Sequence, residues 1–313
     1  MFNAAGHPIS ASLAGLVLVC ASGCTMDQTD DAAMAQIGQD AAFAQSADPS
    51  GPIDLTQAIS GKKDPVEATS KPLPDRIEKG PYFLDPMIQY RKKRWFISDG
   101  WSNGDYAMND WRRGQVKFKG SLRLTMGTNR NSSYPFSSGE VQSRTTHGHG
   151  YFETTMRAAK GSGLVSGFFT YTGAPFNQPW NEIDIEILGA KPREILLSYH
   201  YKDERVSHVH QLGFDASEGF HTYGFDWQPG HIEWYVDGQP VFRATADDLT
   251  LPNIPQKIYL SLLGSRTLAD WAGPFDETAL PASVEYVCVA KTRGAAINQP
   301  CWKKQMEATA GAN

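Results

Sequence analysis

The sequence predicts an all-β protein built as a sandwich of two antiparallel sheets. From Trp95 onward, roughly a dozen short runs alternate apolar with polar residues, with Gly, Asn and Asp between them. No convincing amphipathic helix interrupts these runs. Asp237-Gly238, between two alternating runs, is a strong β-hairpin signal. Strands without intervening helices bury their apolar faces against a second sheet, which favours a two-layer sandwich.

The strands are predicted from period-two alternation and from the turn residues that bound each run. Gly120 separates the first two, and Asp237-Gly238 separates the clearest pair. In chain order the predicted strands are 116–119, 121–125, 140–144, 151–157, 167–172, 182–187, 194–201, 220–227, 231–236, 239–243, 257–263 and 282–290.

The N-terminal part of the chain predicts export. The apolar run 13–21 is too short to span a bilayer and precedes small residues, which is typical of a signal peptide over residues 1–24. Residues 21–24 resemble a lipobox, in which Cys24 would be lipidated and anchor the protein to a membrane. No Lys or Arg precedes the run, and Ala21 replaces the usual Leu, so lipidation stays one of two alternatives. We expect a periplasmic, outer-membrane-anchored or extracellular protein.

The remaining organisation follows from composition. Residues 25–80 hold one aromatic residue, Phe43, and several prolines, and therefore predict a disordered linker. The folded domain is expected over 81–293, with a C-terminal tail over 294–313. A net charge of -5 argues against nucleic acid as a partner, and we expect a monomer. Cys288 and Cys301 could form one bridge or remain two thiols.

The most informative stretch is Trp180-Asn-Glu-Ile-Asp-Ile-Glu-Ile-Leu-Gly189. In a strand, alternate side chains share a face, so Glu182, Asp184 and Glu186 lie together while the isoleucines between them face a core. Glu182 and Glu186 would have Cα atoms roughly 13 Å apart, and leaning side chains bring the carboxyls to roughly 5 to 6 Å. This separation is typical of a retaining glycosidase, and Asp184 between them could separate the two pKa values.

Two other interpretations of the acidic strand, a calcium site and a solvated strand face, account less well for its residues. A flat row of acids supplies few converging oxygens for calcium, and no DxDxDG loop accompanies it. A solvated strand face would explain an isolated match. Trp180, however, offers an aromatic platform on which the C–H face of a sugar could stack, which favours carbohydrate chemistry.

The decapeptide 180–189 resembles the signature of glycoside hydrolase family 16. Segments that start at Asp99, Ser166, Leu212, Phe220 and Thr267 resemble its lichenases and its succinoglycan-type exopolysaccharide depolymerases. The resemblance covers about residues 94–293. It implies a β-jelly-roll (concanavalin-like) sandwich with a sugar cleft across one sheet, and a polysaccharide as the substrate.

The resemblance also implies roles for individual residues. Glu182 would be the nucleophile, Glu186 the acid/base and Asp184 their electrostatic helper. The residues matching sugar-contacting positions are Trp180, Asn103, Glu140, Phe169, Trp101, Trp271 and His200.

Several positions depart from the lichenase pattern. Leu263 replaces a cleft Trp, Ser198 and His200 replace Asn and Tyr, and Gln142 replaces Arg. Asn181 replaces the Asp before the nucleophile, and Asn109 and Ser138 stand where the family has a disulfide. Val287 replaces a calcium-binding carboxylate, so we expect neither a metal nor a cofactor.

The sequence therefore predicts a retaining endo-β-glucanase that cleaves β-1,4 or β-1,3 bonds of a mixed-linkage glucan or a bacterial exopolysaccharide. Two alternatives remain: a transglycosylase that shares the first chemical step, and a carbohydrate-binding jelly roll without activity.

Overall fold

The computed structural model describes residues 82–129, 132–246, 250–295 and 299–310. The predicted signal peptide (1–24) and the predicted linker up to residue 80 lie outside these residues. Within the described part of the chain, no helix is long and apolar enough to cross a membrane.

Two packed sheets form the domain, as predicted. The back sheet has ten strands and the front sheet has seven. The back-sheet strands are β1 (Phe83–Asp85), β3 (Asn109–Trp111), β4 (Val116–Phe118), β5 (Leu122–Thr128), β6 (Phe136–Ser138), β8 (Gly150–Arg157), β13 (His221–Gln228), β14 (His231–Val236), β15 (Gln239–Thr245) and β17 (Ala282–Thr292). The front-sheet strands are β2 (Trp95–Ile97), β7 (Glu140–Ser143), β9 (Leu164–Thr172), β10 (Asn181–Leu188), β11 (Glu194–Tyr201), β12 (Glu204–Gln211) and β16 (Lys257–Gly264).

The order of the front sheet is β12-β11-β10-β9-β16-β7-β2, which places the acidic strand β10 well inside the sheet. The main path of the back sheet is β15-β14-β13-β8-β17-β5-β6-β3, with β1 on β17 and β4 on β5. Pairing is antiparallel apart from β3 with β6. The predicted strands all form. The short strands β1, β2, β3 and β6 and the polar edge strand β12 were not predicted, because three residues show no period and an edge strand needs no apolar face.

The main core lies between the sheets. Ile183, Ile185 and Ile187 point into it from β10 and are completely buried, each contributing about 1.5–3 kcal/mol from burial. Trp227 and Trp234 fill it from the back sheet, also with no exposed surface. The indole Nε1 of Trp234 donates to the backbone oxygen of Asp184 at 3.1 Å. The back sheet therefore holds the acidic strand from beneath.

The predicted hairpin at Asp237-Gly238 forms with φ of 46° and 76°, the left-handed pair that a two-residue hairpin turn requires. A second tight hairpin joins β11 to β12 through Lys202 and Asp203, with Lys202 at φ 56°. This turn brings the N-terminal end of β12 beside the C-terminal end of β11, next to the acidic strand.

The C-terminal segment contains a helix, α2 (Pro300–Ala310), that was not predicted from the sequence and that packs against the back sheet. Earlier in the chain, helix α1 (Ala269–Ala272) is a single turn. Cys301 in α2 is bonded to Cys288 of β17, with Cα atoms 5.7 Å apart. The Cys301 amide donates to the buried Glu153 carboxylate at 2.7 Å. The tail is thus fastened to the sheet opposite the acidic strand, and the alternative of two free thiols is wrong.

Candidate active site

The register of the front sheet arranges the site in rows across neighbouring strands. Glu182 lies opposite His200 on β11 and Tyr171 on β9. Asp184 lies opposite Ser198 and Phe169, and Glu186 opposite Leu196 and Gly167. Directly opposed residues point to the same face of a sheet. The three carboxylates therefore share the face turned away from the core, as the alternation predicted.

The acids are withdrawn from water although they face away from the core. Glu182 is 2% exposed and Asp184 5% exposed, whereas Glu186 is half-buried. Burial penalises a charged carboxylate, so it raises the pKa of Glu182 and of Glu186 to about 7. At neutral pH both groups are poised between acid and base, as general acid–base chemistry requires.

The pKa of Asp184 is shifted upward by burial and by its two glutamate neighbours. Burial and the charges of Glu182 and Glu186 raise the pKa of Asp184 well above its ordinary value. The pKa of Glu182 is raised by burial but lowered by hydrogen bonds from Trp180 and Asp184. Burial therefore favours the protonated form of Asp184, and the bonds to Glu182 favour its ionised form.

Trp180 and His200 fix the outer side of Glu182. The indole Nε1 of Trp180 donates to Glu182 Oε2 at 2.6 Å. The Trp180 and His200 rings stack with centroids 4.1 Å apart. His200 is 8% exposed, and burial lowers the pKa of its imidazole to about 3, so the ring is neutral. The pair forms a flat wall beside the carboxylates.

Asp184 is held by side chains from β11. Ser198 Oγ donates to Asp184 Oδ2 at 2.8 Å, and His200 Nε2 lies 3.8 Å from the same oxygen. Ser198 and His200 are two of the departures from the family pattern. Both contact the acidic row, so these replacements change the surroundings of the carboxylates themselves.

The rows continue to the other side of β10. Phe169 stacks on Tyr259 of β16 with ring centroids 5.0 Å apart. Glu140 on β7 accepts from Ser98 Oγ at 2.5 Å, and burial raises its pKa to about 7. Asn103 Oδ1 accepts from Trp111 Nε1 at 2.7 Å. Phe169 and Glu140 thus lie on the same face as the acids, with Asn103 in the loop before β3.

A second apolar cluster closes one end of this face. It combines Phe96, Trp101, Trp111, Val165, Leu188 and Leu263, with Trp271 of α1 packed against it. Trp101 stacks on Phe96 and keeps 4% of its surface exposed, whereas Trp271 is half-buried. Leu263 belongs to this cluster and is 6% exposed, so its side chain packs within the protein. The predicted sugar-stacking roles of Trp101 and Trp271 stay predictions.

Three side chains of this face were not predicted from the sequence. Lys257 and Tyr259 on β16 lie 3.3 Å (Nζ) and 3.4 Å (OH) from Oε1 of Gln142. Burial lowers the pKa of Lys257 to about 8. Arg205 lies opposite His200 on the unpredicted strand β12. For Lys257 and Tyr259 a signal existed, since they alternate along a predicted strand, but strand register alone shows which partners they meet.

Two family features are replaced at their predicted positions. Asn109 Oδ1 accepts from the amide of Gly264 at 2.9 Å, and Ser138 Oγ donates to the carbonyl of Leu262. Both positions where the family has a disulfide therefore hydrogen-bond to β16. Val287 is a hydrocarbon and offers no oxygen to calcium, which takes six to eight oxygen ligands, so the residue at that position does not fit the family's calcium site.

One set of described residues could hold a metal ion. Glu182, Asp184 and His200 offer ligand atoms that all lie within 4.8 Å of one another. Two carboxylates and an imidazole suit zinc or copper better than calcium or magnesium. An ion there would occupy the carboxylate that the chemistry needs. His147 and His149, which also have metal-like spacing, instead pack against Phe83 and Trp227.

Known proteins are similar to this chain in sequence and in fold. The sequence profile of "Glycosyl hydrolases family 16" matches residues 103–281. A beta-glucanase of Acetivibrio thermocellus is 42% identical over 66% of this chain and 61% of its own length. A beta-glucanase of Paenibacillus macerans is 40% identical over 68% of this chain and 89% of its own. This chain thus spans less than two thirds of the first of these relatives.

Solved structures of similar proteins have the same fold as this chain. The beta-glucanase of Bacillus licheniformis superposes with a TM-score of 0.65 and 36% identity, covering 69% of this chain and all of the other. A lichenase from a mouse hindgut metagenome superposes with a TM-score of 0.64 and 36% identity, covering 67% of this chain and 98% of the other. The jelly-roll sandwich, the acidic strand and the matched profile lead to one assignment: the chain belongs to glycosyl hydrolase family 16.

Proposed function

We propose that the protein is a retaining endo-β-glucanase that hydrolyses internal bonds of a mixed-linkage β-glucan or a related exopolysaccharide. The observation that carries this proposal is the row of Glu182, Asp184 and Glu186 on one face of β10, with the pKa of both glutamates raised to about 7 by burial. The beta-glucanase names of the similar proteins support it.

The reaction has two steps. In the first, the ionised Glu182 attacks the anomeric carbon, and the bond to the leaving sugar oxygen breaks as Glu186 gives that oxygen its proton. In the second, water attacks the anomeric carbon of the glycosyl-enzyme, Glu186 takes a proton from the water, and Glu182 leaves as a carboxylate. Two inversions at one carbon retain its configuration.

Each neighbour of Glu182 supports one part of this cycle. The hydrogen bonds from Trp180 and Asp184 stabilise the carboxylate before attack and as it leaves. Glu186 accepts no such bond among those found in the described residues, and burial raises its pKa to about 7, so it holds a proton to deliver. Asp184 is aligned by the hydrogen bond from Ser198.

The test is digestion of barley mixed-linkage β-glucan, with products followed by mass spectrometry and by proton NMR of the new reducing ends. We expect oligosaccharides of several sizes from the start, with the β-anomer appearing first. Products larger than an oligosaccharide substrate would favour the transglycosylase. Binding without cleavage of any β-glucan would favour the inactive jelly roll.

Export is part of the same proposal. The apolar run 13–21 and Cys24 support a signal peptide and a lipid anchor. Expression of the full chain with radiolabelled palmitate tests both, with Cys24→Ser as the control that should lose the label. Unlabelled protein released into the medium would support export without an anchor.

A further inference from the structure

The edge strand β12 adds a cation to the row that contains Glu182. Arg205 lies directly opposite His200, which lies directly opposite Glu182. All three side chains therefore point to the site face of the front sheet. Neighbouring strands lie about 4.8 Å apart, so the Arg205 backbone is about 10 Å from that of Glu182.

The Arg205 guanidinium has donors without acceptors. Its Nε is buried and forms no hydrogen bond. Among the hydrogen bonds and ion pairs found in the described residues, none includes Arg205. A buried polar group left unpaired costs about 1–3 kcal/mol, so the buried Nε of Arg205 would be stabilised by an acceptor from outside the fold.

The nearby carboxylates do not supply that partner. Glu182 accepts from Trp180, and Asp184 accepts from Ser198. The His200 ring stands between these acids and β12, stacked on Trp180. Arg205 is therefore close enough to lower the pKa of the acids through its charge, yet it makes no ion pair with them.

A polysaccharide in the proposed reaction crosses the strands, because the cleaved bond must lie over β10. A sugar bound beyond His200 would place its substituents over β12. The planar guanidinium matches a carboxylate with two parallel hydrogen bonds. Resting on the proposed function, we propose that Arg205 binds a carboxylate substituent of the polysaccharide, so that the preferred substrate is an acidic β-glucan-type polymer.

The charges of the site are compatible with an anionic chain. The carboxylates of β10 would repel such a substrate, and the positive charge of Arg205 in the same row of side chains offsets part of that repulsion. Arg205 is half-buried, which limits screening of its charge by solvent.

The test compares one backbone with and without carboxylates. We would measure kcat/KM of the native protein, Arg205→Gln and Arg205→Lys on two substrates. One is barley β-glucan, and the other is the same glucan with a fraction of its primary alcohols oxidised to carboxylates. We expect Arg205→Gln to lower kcat/KM on the oxidised glucan about 10- to 100-fold more than on the neutral one, as loss of a charged hydrogen-bond pair implies. For Arg205→Lys, kcat/KM on the oxidised glucan should lie between the values of the native protein and Arg205→Gln. Arg243→Gln, on the other sheet, should change neither value.

Two outcomes would overturn the inference. If Arg205→Gln lowers kcat/KM equally on both glucans, the residue positions or charges the catalytic acids instead. If titration calorimetry gives the native protein and Arg205→Gln the same affinity for the oxidised glucan, Arg205 binds no carboxylate. Calorimetry also separates the two proposals: binding that Arg205→Gln abolishes, without cleavage by any variant, would overturn the proposed hydrolysis alone. Circular dichroism of each variant verifies folding.

Discussion

The rings of Trp180 and His200 stack at 4.1 Å with their planes 12° apart, and the same indole donates to Glu182. A residue on β11 thus orients the aromatic side chain that holds the proposed nucleophile on β10. We therefore expect His200 to act through Trp180, as a positioning residue.

Removing the stack should loosen Glu182. An aromatic pair contributes about 0.5–1.5 kcal/mol, so His200→Ala is expected to lower kcat/KM about 2- to 10-fold. His200→Phe keeps the ring and should retain most of the activity. Equal losses in both variants would show that the imidazole nitrogens, and not the stack, are what matters.

The hydrogen bond from Trp180 should set the acid limb of the pH profile. This bond lowers the pKa of Glu182, so Trp180→Phe is expected to raise that pKa and move the acid limb of kcat/KM to higher pH. The basic limb, which we assign to Glu186, should move less. Initial rates between pH 4 and 9 measure both limbs, and an unchanged acid limb would contradict the assignment of the nucleophile.

The two glutamates should fail in different ways. Glu182→Ala is expected to lose activity on every substrate by at least about 1,000-fold, because no covalent intermediate forms. Glu186→Ala should still cleave an aryl glycoside whose leaving group needs no proton, and azide should accelerate it. Glu218→Gln, an exposed acid on a loop, is the matched control. The separate roles of nucleophile and acid/base would be contradicted if azide accelerated neither variant and both variants lost equal activity on aryl glycosides.

Stability should decrease as the pH rises from 5 to 8. Burial raises the pKa of Glu140, Glu153, Glu182 and Glu186 to about 7. The folded state therefore binds protons more tightly than the unfolded state. This stabilisation is complete below pH of about 4.5 and is lost as the pH rises through about 7.

Urea denaturation at several pH values measures this loss. Glu140→Gln should make the free energy of unfolding less dependent on pH, by at most about 3 kcal/mol across this window. Its amide resembles the protonated carboxyl and can still accept from Ser98. A pH dependence as steep as that of the native protein would contradict the raised pKa of Glu140.

The disulfide should stabilise the domain without affecting catalysis. Cys288 and Cys301 are 13 residues apart, and a loop of about 15 residues corresponds to about 3 kcal/mol. Cys301→Ser is expected to lower the free energy of unfolding by up to that amount, with kcat unchanged at 25 °C, because α2 packs on the back sheet. Thermal melts and initial rates test both, and a large loss of kcat would show that α2 influences the front sheet.

Metal removal should leave the activity intact, whereas zinc should inhibit. The proposed mechanism needs no ion, so dialysis against EDTA is expected to leave kcat unchanged. Zinc bound by Glu182, Asp184 and His200 would block the nucleophile. His200→Phe should weaken this inhibition while keeping the stack with Trp180. A loss of activity in EDTA would contradict the prediction that the enzyme needs no metal ion or cofactor.

Most of the architecture could be predicted because alternation at period two is a local property. The isoleucines of β10 and the Asp237-Gly238 turn needed no knowledge of distant residues. Helix α2 and strand β12 escaped prediction for the opposite reason. Their stability comes from the disulfide, from hydrogen bonds to the back sheet and from pairing with β11, and none of these contacts leaves a periodic pattern.

For the site, the sequence by itself determined that Glu182, Asp184 and Glu186 share a face, since alternate residues of a strand always do. Only the tertiary structure decided how their pKa values shift, because the packing that buries them and the contacts of Ser198 and His200 come from other strands. It also decided that Arg205 joins the same row. Strand register places these residues together, and register depends on the packing of the whole sheet.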